Sequence, residues 1–143
     1  IAAFGENDGE PWRIGIQDPK NMQDIWGVVA RQADTRVSTS GNYRQPLKIQ
    51  GQTFYHIFSP ETGKPVSERV LGVTTAGVSK THSNALIDGA ATAITVMGAA
   101  DGIQFAQNLG IEALILTQAG DRKITEHMTP GFQKYYERRQ PAQ

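Results

Sequence analysis

The chain of 143 residues contains no cysteine, which excludes disulfides, thiolate nucleophiles and cysteine metal sites and is compatible with an oxidising compartment. It has no excess of either charge: 14 Lys and Arg offset 14 Asp and Glu. No net field therefore draws it to nucleic acid or to an anionic membrane, and nucleic acid is not an expected partner. No apolar run reaches the ~18 residues that a membrane helix requires. The Gly-x-Ser-x-Gly elbow, the phosphate-binding Walker lysine loop and the dinucleotide-binding glycine fingerprint are all missing, which removes those enzyme classes. The chain also starts on Ile1-Ala2-Ala3-Phe4-Gly5 without an initiator methionine; the expectation drawn from this is processing, cleavage or trimming.

What is present fits one globular domain, with 38% hydrophobic and 20% charged residues. Trp12, Ile14 and Ile16 alternate with polar residues as a half-buried strand that Asp18-Pro19 stops. Ile25 to Ala30 and Arg36 to Thr39 are two further β-rich runs, the second ending in the turn-forming Ser40-Gly41-Asn42-Tyr43. Lys48 to Phe54 reads as a hairpin turning at Gln50-Gly51, its second strand running through Tyr55 to Phe58 into a tight turn at Ser59 to Gly63. Arg69 to Val78 is apolar on both faces and so predicts a central strand. Two helices follow, the second capped by Asp101 and closed by Asn108 and Gly110. Ile111 to Thr117 pairs with Arg122 to Glu126 across a turn at Ala119 to Asp121, and Thr129-Pro130 opens a short C-terminal helix. This order of elements predicts an α+β fold in which helices cover one side of a largely antiparallel sheet.

The stretch from Ser83 to Gly98 is small and apolar almost throughout and carries one charge, Asp88. Helical spacing puts Ile87, Ala91, Ile94 and Gly98 on one face, and Asp88 and Thr92 one turn apart on its neighbour. A carboxylate in a helix apolar on nearly all sides is expected to be buried, and a buried carboxylate requires a partner. Three readings stand. Ser83, Asn84 or Asp88 caps the first amides; Asp88 and Thr92 hold a hard cation such as Mg²⁺ beside phosphate oxygens; or Thr92 is a covalent modification site, which needs an exposed hydroxyl. Ser38, Thr39, Ser40 and Gly41 form either a plain turn or a phosphate-facing one. His56, at a strand end before a turn, stands where bases and ligand contacts occur, although most lone histidines are structural.

Taken in order, Ser38-Thr39-Ser40-Gly41-Asn42-Tyr43, His56-Ile57-Phe58-Ser59-Pro60-Glu61-Thr62-Gly63-Lys64-Pro65-Val66, Asp88-x-x-x-Thr92-Ala93, Met97-Gly98 and Met128-Thr129-Pro130-Gly131-Phe132 resemble the ApbE family of FAD:protein FMN transferases. The resemblance implies the T-fold-like architecture of that family, with residues 1–143 as the C-terminal part of a single domain that is incomplete without an amino-terminal half. It implies Mg²⁺ as cofactor, held by Asp88 and Thr92, and FAD as substrate. It makes His56 a flavin-site residue and a base for the incoming hydroxyl, Ile57 a lining residue, and Ser40, Gly41 and Tyr43 parts of the pocket wall. The implied reaction moves FMN from FAD to a threonine of an acceptor protein and releases AMP; the implied acceptor is a flavoprotein subunit of a respiratory or redox complex. A periplasmic or otherwise extracytoplasmic site, with a lipid anchor on the missing amino terminus, is implied as well.

Two departures from the family pattern stand out. Ser59 occupies the usual aspartate position of the turn, and Val73 to Asp88 is longer than is typical; His82 lies in that expansion and is expected to be an exposed loop residue. Two other activities suit the same residues: FAD binding without transfer, and hydrolysis of FAD to FMN and AMP.

Overall fold

The computed structural model describes residues 1–31, 34–42, 47–49, 52–66, 69–119 and 123–139. Its largest element is an antiparallel sheet of five strands in the order β1 (Ala2–Ala3), β4 (Thr35–Gly41), β7 (Val70–Val78), β8 (Glu112–Ala119) and β9 (Lys123–Met128). A second sheet pairs β10 (Tyr136–Arg138), β3 (Ile25–Ala30) and β2 (Arg13–Gln17), and β5 (Leu47–Ile49) pairs with β6 (Gln52–Phe54). Helices α1 (Asn84–Met97) and α2 (Ala99–Asn108) lie between β7 and β8 in the chain.

The five-stranded sheet is buried on both faces. In β8, Ala113 and Ile115 pack with Val73, Ile87, Ala91 and Ile94 under the helices, while Leu114 and Leu116 pack with Ile14, Ile16, Val29, Val37 and Phe132 under the second sheet. Because successive side chains of a strand point to opposite faces, a strand covered on both sides reads as a continuous apolar run, as Ala113 to Leu116 does. The layers are therefore helices, five-stranded sheet, three-stranded sheet. In β2 only Ile14 and Ile16 are buried, the pattern of a sheet with one face to water.

Helix α1 starts at Ser83, whose hydroxyl accepts from the Leu86 amide at 3.1 Å. It ends at Gly98, which adopts φ 86 and donates its amide to the Ile94 carbonyl at 3.0 Å. That positive φ lets α2 start at once and fold back on α1. Gly102 permits the close approach: a Cβ there would lie 2.6 Å from Ile94 Cγ2 and 3.1 Å from Ile115 Cδ1.

The expected covering of one sheet face by helices holds, and the second sheet on the other face was not foreseen. Residues of the tail read as a terminal helix, Tyr136 to Arg138, instead form β10 against β3. Phe132 explains the difference: fully buried, it anchors a 3₁₀ helix (Phe132–Tyr135) with the rings of Tyr135 and Tyr136 each 5.6 Å away. Burying a phenyl group outweighs local helix propensity, since removing one from a core costs ~3–5 kcal/mol. Asp101 does not cap α2; it lies in the first turn, where the macrodipole still favours a carboxylate. The expected strand through Tyr55 to Phe58 stops at Phe54. Tyr43, Gln50, Gly51, Gly120, Asp121 and Arg122, which belonged to the expected turns and strand ends, lie outside the described residues.

Candidate functional site

Ser38 and Thr39 belong to β4 as the β-rich run predicts, and Ser40 and Gly41, expected as a turn, continue that strand. Strand alternation separates their side chains. Thr39 turns to the second-sheet side and shares a hydrogen bond of 2.9 Å with Thr74, whereas Ser38 and Ser40 face α1. Ser38 Oγ donates to Asp88 Oδ1 at 2.5 Å, and Ser40 Oγ is 3.1 Å from Thr92 Oγ1. These contacts form two rungs of one ladder. Two strand residues advance about 6.6 Å and four helical residues about 6.0 Å, so a helix running alongside a strand in the same direction brings i, i+2 of one level with i, i+4 of the other.

Asp88 is exposed, as are Leu86, Gly89 and Thr92, while Ile87, Ala90, Ala91, Ile94 and Thr95 face the core. The expected burial of Asp88 is thereby corrected: small residues allow α1 to sit against the sheet without covering this flank. With Ser83 as the N-cap, the capping reading of Asp88 also falls. The carboxylate points to the open edge of the α1–β4 seam and keeps its charge in contact with water.

Beside Thr92 the seam opens into a cleft of about 600 Å³ lined by Ser40, Gly41 and Thr92 together with His56, Ile57 and Phe58. Val96, one turn beyond Thr92, forms part of the wall. Ile57 is buried and accepts the Val66 amide at 2.9 Å. Beyond it, Ser59 donates its amide to Lys64 and accepts from Gly63, whose φ of 63 suits the tight turn. A closed hairpin thus fixes the exposed His56 and Phe58 at the cleft mouth.

The structure brings Ser40, Gly41, His56, Ile57 and Thr92 to one cleft and sets Asp88 a helical turn away along the same seam. Tyr43 lies outside the described residues. Phe58 and Val96 join the site without having been singled out for it, and Ser38, expected as part of a phosphate-facing or plain turn, enters it instead as the partner of Asp88. The signal for its pairing with Asp88 was available, because a Ser-x-Ser strand opposite an Asp-x-x-x-Thr helix is a spacing match. His82, expected to be exposed, is half-buried, with its ring against Gly77 and Nδ1 2.9 Å from the Thr81 hydroxyl. A larger cleft of about 670 Å³ on the three-stranded sheet contains none of these residues. Within it Arg13 pairs with Glu137 at 2.7 Å, and Arg31 lies 4.9 Å from the Tyr135 ring centre. We regard it as a structural seam.

The donors at the ladder are one carboxylate and three hydroxyls, all hard oxygens. Among the described residues no group of three or more His, Cys, Asp and Glu gathers to enclose a metal. This set fits a cation such as Mg²⁺, which takes one or two protein oxygens and completes its shell with water and phosphate.

The ApbE family model matches residues 1–115, and the chain belongs to that family. Among its relatives is the FAD:protein FMN transferase of Vibrio cholerae, 34% identical over 128 residues that cover 90% of this chain and 34% of the relative. The solved structure of the flavin transferase ApbE from Vibrio cholerae superposes with a TM-score of 0.71 at 32% identity, over 92% of this chain and 40% of that one. The ApbE protein from Thermotoga maritima gives a TM-score of 0.75 at 27% identity, over 94% and 41%. The chain thus spans about a third of the length of the Vibrio cholerae relative.

Proposed function

We propose that this chain is the C-terminal part of a single-domain flavin transferase that moves FMN from FAD to a threonine hydroxyl of an acceptor protein and releases AMP. The observation that carries the reading is the convergence, in a chain of this family, of His56 and Ile57 with Ser40 and Thr92 on one open cleft beside Asp88. Hydroxyls, backbone and one imidazole suit a phosphate-bearing ligand with a flat ring system. The remainder of the pocket comes from the amino-terminal part that the longer relatives carry.

Asp88 and Thr92 hold Mg²⁺, which, when bound, neutralises charge on the pyrophosphate bridge. Ile57 and Gly41 line the flavin side of the cleft, with Tyr43 following in sequence. His56, exposed and lining the cleft, takes the proton of the incoming threonine hydroxyl. The bond formed joins the threonine oxygen to the FMN-side phosphorus, the bond broken is the bridging P–O bond, and AMP departs with the bridging oxygen. The acceptor is a flavoprotein subunit of a redox complex, and the site of action is extracytoplasmic.

The test uses the full-length protein with FAD, Mg²⁺ and an acceptor peptide, read by mass spectrometry. An added FMN mass on threonine together with stoichiometric AMP supports the reading. AMP without a mass gain assigns hydrolysis instead, and retention of intact FAD assigns a carrier.

A further inference from the structure

Each of the two proposed cation ligands is matched by one serine of β4. Ser38 Oγ donates to Asp88 Oδ1, and among the described residues no second donor reaches that carboxylate. Ser40 Oγ and Thr92 Oγ1 share a single hydrogen bond whose direction either atom can set. The chemistry of a ligating hydroxyl removes that freedom. When the Thr92 oxygen commits a lone pair to a cation, its proton is left to donate, and Ser40 Oγ is the acceptor within reach. Ser40 then has its own proton to give, and it lines the cleft.

We propose that Ser38 and Ser40 are positioning residues for the cation site. Ser38 fixes the Asp88 carboxylate through Oδ1, leaving Oδ2 for the cation. Ser40 Oγ accepts a hydrogen bond from the Thr92 hydroxyl and donates its own into the cleft, toward a phosphate oxygen of the dinucleotide. The inference rests on the cation assignment made above. Its physical basis is that a hydroxyl pair held between a strand and a helix has its oxygens placed before the ligand arrives, so less side-chain freedom is lost at binding and only the direction of the protons is left to set. It also couples the two ligands, because only the cation-bound state fixes the direction of the Ser40 donor.

The test uses full-length protein, Mn²⁺ as a hard-cation probe read by electron paramagnetic resonance, and FAD titrated with and without the metal. Ser38→Ala is expected to weaken Mn²⁺ about tenfold, the scale seen when a group orienting a metal ligand is lost. Ser38→Thr, which keeps the hydroxyl, restores it. Ser40→Ala is expected to reduce the metal-dependent gain in FAD affinity about tenfold, as one hydrogen bond to a charged group implies, and to lower metal-free FAD affinity by distinctly less, because without the cation the direction of its hydroxyl proton is not fixed. A purely structural serine would shift both FAD affinities equally. If Asp88→Ala loses Mn²⁺ while Ser38→Ala and Ser40→Ala match the parent protein, the positioning role is overturned and the cation site stands. If Asp88→Ala binds Mn²⁺ like the parent, the cation site itself falls, and this inference with it.

Discussion

Two carboxylates on opposite sides of the five-stranded sheet are treated differently by the fold. Glu126, on β9, receives Trp26 Nε1 at 2.7 Å and the Tyr136 hydroxyl at 3.0 Å, both on Oε1, and the Arg138 guanidinium lies 3.4 Å away. Its side chain is only 17% exposed, and Arg138 stacks over Trp26 at 4.7 Å. Asp88, on α1, receives one neutral hydroxyl and faces water. A carboxylate whose Oε1 gathers three donors from two strands of the second sheet, β3 and β10, is a fastener between layers. One with a single partner keeps charge and lone pairs for a ligand. Counting donors thus separates a structural acid from a ligand-binding one where residue type does not.

The sharpest break of this comparison is a pair of alanine substitutions. Asp88→Ala should reduce Mg²⁺-dependent flavin transfer to background while changing stability by no more than about 0.5 kcal/mol, as for exposed sites in general; normal turnover at normal stability would remove the metal role. Glu126→Ala should do the opposite. Leaving the Trp26 and Tyr136 donors unpaired at a half-buried seam is expected to lower unfolding free energy by about 2–4 kcal/mol in denaturant melts, with cation affinity unchanged. A Glu126→Ala protein that is stable but loses cation binding would reverse the assignment.

Smaller changes test the fastener alone. Tyr136→Phe removes one hydrogen bond to Glu126 and should cost about 1–1.5 kcal/mol. Its neighbour Tyr135 has a buried hydroxyl with no partner among the described residues, so Tyr135→Phe should be neutral or stabilising by up to about 1 kcal/mol. Equal losses in the two variants would mean that the Glu126 contact contributes nothing.

Burial pushes both phenols up from their ordinary value. The folded state therefore holds their protons after the unfolded chain has lost them. Their contribution is complete below about pH 10 and declines as pH rises toward the raised folded values. Either phenylalanine variant should flatten that alkaline limb in melts taken from pH 9 to 12; an unchanged limb would contradict the burial effect. The smallest effect belongs to the exposed Arg13–Glu137 pair. Arg13 holds the Glu137 carboxyl below its usual range, so any gain exists above that range and is lost as pH falls through the folded value. Solvent screening leaves it near zero, and Arg13→Ala should melt with the parent protein at pH 7.

Much of this was legible in the residues. The alternation at Ile14 and Ile16, the apolar run at Ala113 to Leu116 and the helical spacing of Ile87, Ala91 and Ile94 record which face each element buries, because periodicity follows from backbone geometry alone. The motif order from Ser38 to Phe132 carried the family. Other features were not local. The Tyr136 to Arg138 segment forms a strand because Phe132, buried beneath the second sheet, draws the tail onto β3. Ser40 and Gly41 read as a turn by composition, yet β7 pairs with both.

The fate of Asp88 lies between these two cases. Sequence alone determined that it shares a helix flank with Thr92 and is the one charge in its segment, since 3.6 residues per turn fixes that neighbourhood. Only the tertiary structure decided that the flank is open and that Ser38 and Ser40 stand opposite. Exposure and partners depend on how closely α1 lies along β4, and that distance is set by the small buried residues beneath the helix and by the pairing of β4 with β7, which bring together positions about fifty residues apart.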